Sequence, residues 1–504
     1  MGVVAMKYEP RLPYQYVERY EPRTYQEIKT SRVNHEVKKV KNMDQLFDMI
    51  QLRNGMTISF HHHLRNGDAV MNLIIDEIMK RNLSDITVAA SSVFPVHTSL
   101  AKAIEMGVVT QVVTAYMSGA VADVVSEGKC LYPCVMQTHG GRALSIESGK
   151  LKIDVAFIAS PAMDESGNIS GRQGKAACGS LGYAIADALY ADRVVAITDT
   201  IEPLNHVDIA RECVDVMIHV DSIGDPRGIV SGTTRITKDP VGLAIAKRTI
   251  ELMDAAGYIK DGLSFQTGAG GISLAVAAQL HQKLKKENIK GSFASGGITG
   301  YLVDMFEEGL FEKLYDVQCF DLAAVSSIQK NENHLAISAS QYGNPYNPEN
   351  IVDQLDVVIL GASEIDLDFN VNVTTGFDHR ILGGSGGHAD TAFGSKFAII
   401  VSKLVSSRIS VVVDRVTTIT TPGETVDALV TDYGIAIHPR HSDLIEHLKK
   451  TTRLPVVSMK ELLDTANELC GLPQPVVPKA RIVALMEYRD LSVIDVIRQS
   501  EMPL

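Results

Sequence analysis

Three glycine-rich segments and one run of histidines hold most of the residues that could do chemistry in this chain. QTGAGGIS spans 266–273, FASGGITG spans 293–300 and LGGSGGHADTAFGSK spans 382–396. Glycine lets a ligand approach the backbone closely, and a glycine turn that opens a helix presents unpaired N–H groups at the positive end of the helix dipole. Donors of that kind stabilise an oxygen that gains negative charge during a reaction. Gly268, Gly270 and Gly271 in the first segment and Gly386 and Gly387 in the third are therefore the candidate catalytic donors, with His388 at the loop's exit and Asp390 just beyond. Ser295, Gly296, Gly297 and Ser385 are candidates for lining the same cleft. The spacing at 268–271 is G-x-G-G rather than the G-x-G-x-x-G of a dinucleotide site.

The first half offers rings and cations instead. His61, His62 and His63 follow the apolar run MTISF, and Arg65 follows them. Alternation along an extended segment would put Phe60 and His62 on one face and His61 and His63 on the other. A metal site would need a third ligand in suitable geometry, so the expectation here is that the histidines and Arg65 bind an anion or pack at the domain seam, with no metal. Cys130 and Cys134 likewise lack a second ligand pair at zinc spacing. Arg142, Arg172 and Arg235 are further cations in glycine-containing contexts. No serine nucleophile elbow, HExxH helix, Walker loop or CxxC pair accompanies these groups. Backbone donors and cations without an activated nucleophile suit a reaction whose substrates supply the nucleophile.

The elements that must position these residues come in two related sets. IDVAFIASPAMDESGNIS (153–170) lies over LDVVILGASEIDLDFNVN (355–372), so that Asp154, Asp164 and Asn168 match Asp356, Asp366 and Asn370 at an offset of 202. Upstream, residues 54–68 lie over 261–275 at 207; downstream, residues 179–193 lie over 394–408 at 215, which makes the loop at 382–396 an insertion. A period of this length is a whole domain rather than a solenoid repeat. Short apolar runs (MTISF, DITVAA, IDVAFIAS, RVVAITDT, then LSFQ, GSFAS, DVVIL, ISVVVD) alternate with amphipathic stretches that predict helices near 68–81, 176–191 and 273–287. That rhythm predicts an α/β fold of mainly parallel sheets flanked by helices. The expected layout is an N-terminal arm over 1–45, a first domain over 46–230 and a second over 231–504, with the seam in the Gly- and Pro-rich stretch 222–240 and a closing strand pair turning at Arg489 and Asp490.

Composition excludes several classes. Apolar residues are 45% and charged residues 21%, an ordinary globular balance. A formal charge of −12 without long basic runs argues against a nucleic-acid groove. No stretch approaches the roughly 18 apolar residues of a membrane span, and the polar N-terminus lacks a signal core. Six scattered cysteines read as reduced thiols of a cytoplasmic protein.

The paired DVAFI…DESGN and DVVIL…DLDFN segments, together with GGSGGHADTAFGSKFAIIV, resemble the two subunits of the coenzyme A transferase fold joined in one chain. More closely, NGMTISFHHHLRNGD, GKAACGSLGYAIADA, SFQTGAGGISLAV, EIDLDFNVNV and SGGHADTA resemble the citrate lyase alpha subunit family, from about residue 35 to the end. The resemblance implies a transferase that moves an acyl-carrier thiol from acetate to citrate, giving citryl-carrier and acetate. It implies a hetero-oligomer with a beta subunit, which cleaves citryl-carrier to oxaloacetate and acetyl-carrier, and a gamma subunit, the acyl carrier. The carrier presents a coenzyme A-like prosthetic group, so no cofactor is held permanently. Many relatives in the wider fold carry a nucleophilic Glu in an S-E-N-G segment; here the comparable stretch is Ser295-Gly296-Gly297, and Glu364 lies on a different segment. The expectation is direct attack of a citrate carboxylate on the thioester, without a glutamyl-enzyme. Alternatives are transfer to another acid, such as malonate or acetate, thioester hydrolysis, or a non-catalytic sensing domain on the same fold.

Overall fold

A computed structural model describes residues 33–34, 36–61, 63–230, 235–471 and 476–500. The expected N-terminal arm lies mostly outside them, as does His62. The described part of that segment already belongs to the first sheet. Lys38–Val40 pairs in parallel with Val216–His219, and the helix Met43–Ile50 starts at an N-cap, Asn42, whose side chain accepts from the Gln45 amide.

Two large sheets carry the molecule. The first runs, in order, Lys38–Val40, Val216–His219, Arg193–Thr198, Val155–Ser160, Thr57–Phe60, Ile86–Ala90, Val109–Thr114 and Cys134–Met136, all parallel. The second runs His334–Ala336, Phe311–Cys319, Gly291–Ile298, Ser264–Thr267, Val357–Leu360, Phe397–Val401 and Ala428–Val430, also parallel, and then adds the antiparallel Ile435–Ile437. Read from the opposite edge, the second sheet repeats the strand order of the first. The central strands are apolar and buried on both faces, as parallel sheets covered by helices require, whereas the edge strand Lys38–Val40 exposes both its lysines.

The duplication extends to single hydrogen bonds. Asp154 accepts from the Thr57 amide at 2.8 Å, and Asp356 accepts from the Ser264 amide at 2.9 Å. Asp164 accepts from Asn168 Nδ2, as Asp366 does from Asn370 Nδ2. The Asn168 and Asn370 side-chain oxygens each take one distant amide at 3.0 Å, from Arg211 and Gly423.

Three expectations change. First, the downstream match at 215 is out of register. The Arg193 amide donates to Asp154 O and the Phe397 amide to Asp356 O, so these two strand starts are equivalent at 204. The helix Ala184–Tyr190 then answers to His388–Gly394. The glycine loop before His388 is the counterpart of the turns before Ala184, not an insertion, and the helix expected over 176–191 is confined to its last two turns. Second, ISVVVD does not enter the large sheet. It breaks into Ile409–Ser410 and Val412–Val413, the latter pairing with Glu364–Asp366. Third, the closing hairpin, Ile482–Glu487 with Val493–Arg498, pairs through its first strand with Cys134–Met136. A partition that assigns 231–504 to the second domain therefore separates this hairpin from the sheet it extends.

Candidate active site

Because both sheets are parallel, the segments that leave their carboxyl ends collect on one side of each lobe, where such folds place ligands. The lobes meet across these ends. Gly386 accepts from the His139 amide at 2.8 Å and donates its own N–H to Ala115 O at 3.1 Å, while the Met117 amide donates to Gly383 O. Asp390 accepts from Thr138 Oγ1 at 2.8 Å and from the Gly140 amide at 2.9 Å. The third glycine segment is thus stitched to the first lobe at both ends.

The three glycine segments also meet one another. Gly268 donates its N–H to Ile359 O at 2.8 Å, and His388 Nε2 contacts Gly361 O at 2.9 Å, two residues further along. Gln266 lies beneath them. Its Nε2 donates to Tyr342 Oη at 2.8 Å and its Oε1 accepts from Ser295 Oγ at 2.9 Å. A Cβ on Gly387 would stand 2.3 Å from Tyr342 Oη. At Gly296 φ is +107°, and a Cβ there would stand 2.7 Å from Gln266 Cδ. The space a side chain at 296 would need is therefore filled by Gln266.

Not every expected donor is free. The N–H groups of Gly268 and Gly386 are already committed to carbonyls. Among the described residues, no acceptor takes the N–H of Gly270, Gly271 or Gly387. Gly270 is the N-cap of the helix Gly271–Glu287 and supplies no capping side chain. Ser385 braces the start of the helix His388–Gly394, its carbonyl accepting from the His388 amide and its Oγ from the Ala389 amide. His388 has both ring nitrogens engaged, Nδ1 with Thr421 Oγ1 at 2.7 Å and Nε2 with Gly361 O. A carbonyl only accepts, so Nε2 carries the proton and the ring is neutral; burial lowers its pKa to about 4. His388 is a strut that ties the helix start to the strand Val357–Leu360.

The first lobe contributes the rings. His61 and His63 lie 4.7 Å apart between centroids, so they share a face as alternation predicts. His63 stacks on Tyr183 at 5.7 Å, and His139, beside Gly386, lies 4.4 Å from the same tyrosine. Burial lowers the pKa of His61 to about 4 and of His139 to about 3, and drives His63 well below its ordinary value. Neither nitrogen of His61 has a hydrogen-bond partner among the described residues. These imidazoles are neutral at pH 7. Arg65 is nearly buried, with its guanidinium 4.5 Å from the Phe320 ring and 5.5 Å from Phe94. Phe320 in turn covers Gly297, whose Cβ would stand 2.3 Å from that ring. Arg65 thereby reaches across the seam to the 295–297 segment.

Two other cations are spent elsewhere. Arg142 is buried in a two-bond pair with Asp187, and Arg172 pairs with Asp208. A groove of about 580 Å³ beside Arg172 is lined by none of the glycine segments. Glu364 accepts from Asn372 Nδ2 and from the Thr417 amide and hydroxyl, so its carboxylate is a structural acceptor. Gln266, Tyr342, His139, Tyr183 and Phe320 were not singled out from sequence. Gln266 opens the glycine segment 266–273 and His139 lies three residues before Arg142, whereas Tyr342 in SASQYGNP carries no local signal.

Two duplicated lobes with strand-end loops facing each other define a coenzyme A transferase-like protein. The same fold is seen in a Pseudomonas malonate decarboxylase hetero-tetramer solved with malonate (TM-score 0.65, 14% identity, 86% of each chain) and in RipA from Yersinia pestis (TM-score 0.60, 15% identity, 86% of this chain and 96% of that one). Within that class, the chain belongs to the family described as citrate lyase, alpha subunit (CitF), whose profile matches residues 36–500. The citrate lyase alpha chain of Haemophilus influenzae is 44% identical over 471 residues, 93% of this chain and 94% of the relative. That of Escherichia coli K12 is 45% identical over 460 residues, 91% and 90%. A Streptococcus mutans structure described as the alpha subunit of citrate lyase in complex with citrate shares 43% identity and a TM-score of 0.93, over 98% of this chain and 100% of that one.

Proposed function

We propose that this chain is the transferase subunit of a citrate lyase, exchanging the acyl group on a carrier thiol so that acetyl-carrier and citrate become citryl-carrier and acetate. The observation that carries this reading is family membership over residues 36–500, combined with facing strand-end segments that bring together uncommitted backbone N–H groups and the buried Arg65. Beta and gamma subunits are the proposed partners. The carrier's coenzyme A-like thioester enters as substrate, with no resident cofactor and no metal. The thiols fit a reducing compartment such as the cytoplasm: Cys130 and Cys134 are free cysteines, the Cys134 thiol donating to Cys130 Sγ at 3.6 Å.

The chemistry follows from what the cleft offers. A carboxylate oxygen of citrate attacks the thioester carbonyl carbon; a C–O bond forms and the carbonyl electrons move onto oxygen. Collapse of that oxyanion breaks the C–S bond and leaves a mixed anhydride and a thiolate. The thiolate then attacks the citryl carbonyl and expels acetate. No net proton or electron is consumed. Each aligned N–H donor contributes about 3–4 kcal/mol to such a transition state, and Gly387, Gly270 and Gly271 have N–H groups to give. Arg65 supplies permanent positive charge for one citrate carboxylate. His61 and His63, neutral in the cleft, supply hydrogen bonds rather than charge. Closure of the cleft keeps water from the anhydride.

The test is transfer itself. The protein, purified with its native partners, is given acetyl-carrier and citrate, and formation of acetate and citryl-carrier is followed. Malonate and acetate serve as competing acceptors. Turnover with malonate alone would mark a different transferase, release of acetate without any acceptor would mark a hydrolase, and no turnover with any acid would favour a sensing role.

A further inference from the structure

Tyr342 is a buried tyrosine on the short helix Ala339–Gly343, at the point where the glycine segments converge. Its hydroxyl oxygen accepts from Gln266 Nε2, and Gln266 is held in that orientation by Ser295 Oγ on the neighbouring strand. The hydroxyl proton therefore has no acceptor among the described residues. The oxygen stands 2.3 Å from where a Cβ on Gly387 would be, so it lies directly beside the Gly387 peptide, whose N–H is also uncommitted. The buried Tyr342 O–H and the N–H of the half-buried Gly387, side by side and both unspent, form a two-point donor site.

We propose that Tyr342 is a catalytic residue whose hydroxyl, together with the Gly387 N–H, donates to the thioester oxygen as it becomes an oxyanion. Gln266 and Ser295 are positioning residues that fix which way the Tyr342 proton faces. The step is the one given above: the C–O bond to the incoming carboxylate forms, the carbonyl electron pair moves to oxygen, and Tyr342 shares its proton without releasing it. The inference rests on the transferase reading and adds a side-chain donor to the backbone donors. Burial pushes the Tyr342 phenol above its ordinary value, so the proton stays in place throughout the neutral range.

The experiment uses the intact complex with acetyl-carrier and citrate. Tyr342→Phe keeps the ring and removes the donor; the transfer rate is expected to fall about 100-fold, with citrate affinity within about twofold of the parent by calorimetry. Gln266→Leu, which releases the hydroxyl, is expected to lose about tenfold. Site-specific 3,5-difluorotyrosine at 342 keeps the shape while lowering the phenol pKa, and is expected to bring in an alkaline loss of rate that the parent lacks. This arm also decides the matter should the phenylalanine variant fold poorly. A Tyr342→Phe rate within about threefold of an active parent, or a difluorotyrosine profile that matches the parent, overturns the proposal. A parent that moves no acyl group to citrate overturns the transferase reading and this inference with it.

Discussion

The two lobes place opposite chemistry at the same point of the same fold. After the strand Thr57–Phe60 the first lobe sets His61, His63 and Arg65; after the equivalent strand Ser264–Thr267 the second sets Gly268, Gly270 and Gly271. The helices that follow differ in the same sense. In the first lobe Asp68 closes the helix start, accepting from the Met71 amide at 3.1 Å, with the Val70 amide at 3.4 Å from the same carboxylate. In the second, Gly270 leaves the start of Gly271–Glu287 uncapped. A carboxylate cap satisfies N–H groups and repels a second anion, whereas an uncapped start retains both donors and dipole for one. Duplication therefore let one lobe specialise in filling and charging the cleft while the other kept space and backbone donors.

The change expected to break this division most severely is Gly387→Val. The added side chain would collide with Tyr342 Oη and displace the loop from the cleft. Transfer should fall by 10³-fold or more, the loss of at least one preorganised donor, while citrate still protects the protein against heat. Near-parental turnover would remove the glycine loop from the mechanism. Next comes Arg65→Met, which retains bulk beside Phe320 but removes the charge. Citrate affinity measured by calorimetry should weaken about 100-fold, in keeping with roughly 2–5 kcal/mol for a desolvated charge pair. An unchanged dissociation constant would move the citrate site away from the first lobe.

How far the sequence shows this arrangement depends on range. Period-two and helical patterns place the strands around Ile58, Val88, Phe265 and Val358, because burial on both faces writes itself into contiguous apolar residues. The Asp154 and Asp356 matches foretell duplicated bonds, because each side chain holds an amide of the adjacent strand. The offset of 215 misleads because GSLGY and GSK share residue types at different positions relative to their helices. The hairpin from Ile482 crosses back to the first sheet through a pairing that no local pattern encodes. Tyr342 and Phe320 are invisible for the same reason. Their importance lies in which glycine they cover, and that is fixed only when separate strands are in register.

His61→Phe sharpens the comparison at the level of protons. The His61 imidazole ionises near 6.5 in the unfolded chain and near 4 in the fold, because burial disfavours its charge. Its contribution is full above pH 6.5 and is lost as pH falls through 4, on the order of a few kcal/mol. Asp390 runs the other way. Burial raises its pKa from 3.8 to about 6, so its contribution is full below 3.8 and is lost as pH rises through 6. Phenylalanine at 61 keeps the ring contact with His63 and removes the first of these titrations. Melting temperature should then fall less steeply between pH 6.5 and 4 than in the parent; an identical acid limb would mean that His61 does not titrate as a buried imidazole.

The smallest change asks whether glycine is needed for the fold or for the ligand. At Gly268 a Cβ would meet only Ile359 O at 3.5 Å and Ser273 Oγ at 4.0 Å, which is ordinary contact, and the backbone there is not in the left-handed region. The Gly268 N–H bond to Ile359 O would survive the substitution. Gly268→Ala should therefore leave stability within about 0.5 kcal/mol of the parent. If glycine stands at 268 because the thioester or citrate passes against the backbone, transfer should still fall about tenfold, from one methyl group in the path. Equal melting temperatures with a slower rate would assign this glycine to the substrate. Equal melting temperatures with an equal rate would take the substrate's path away from Gly268, toward Gly387 and the helix start at Gly271.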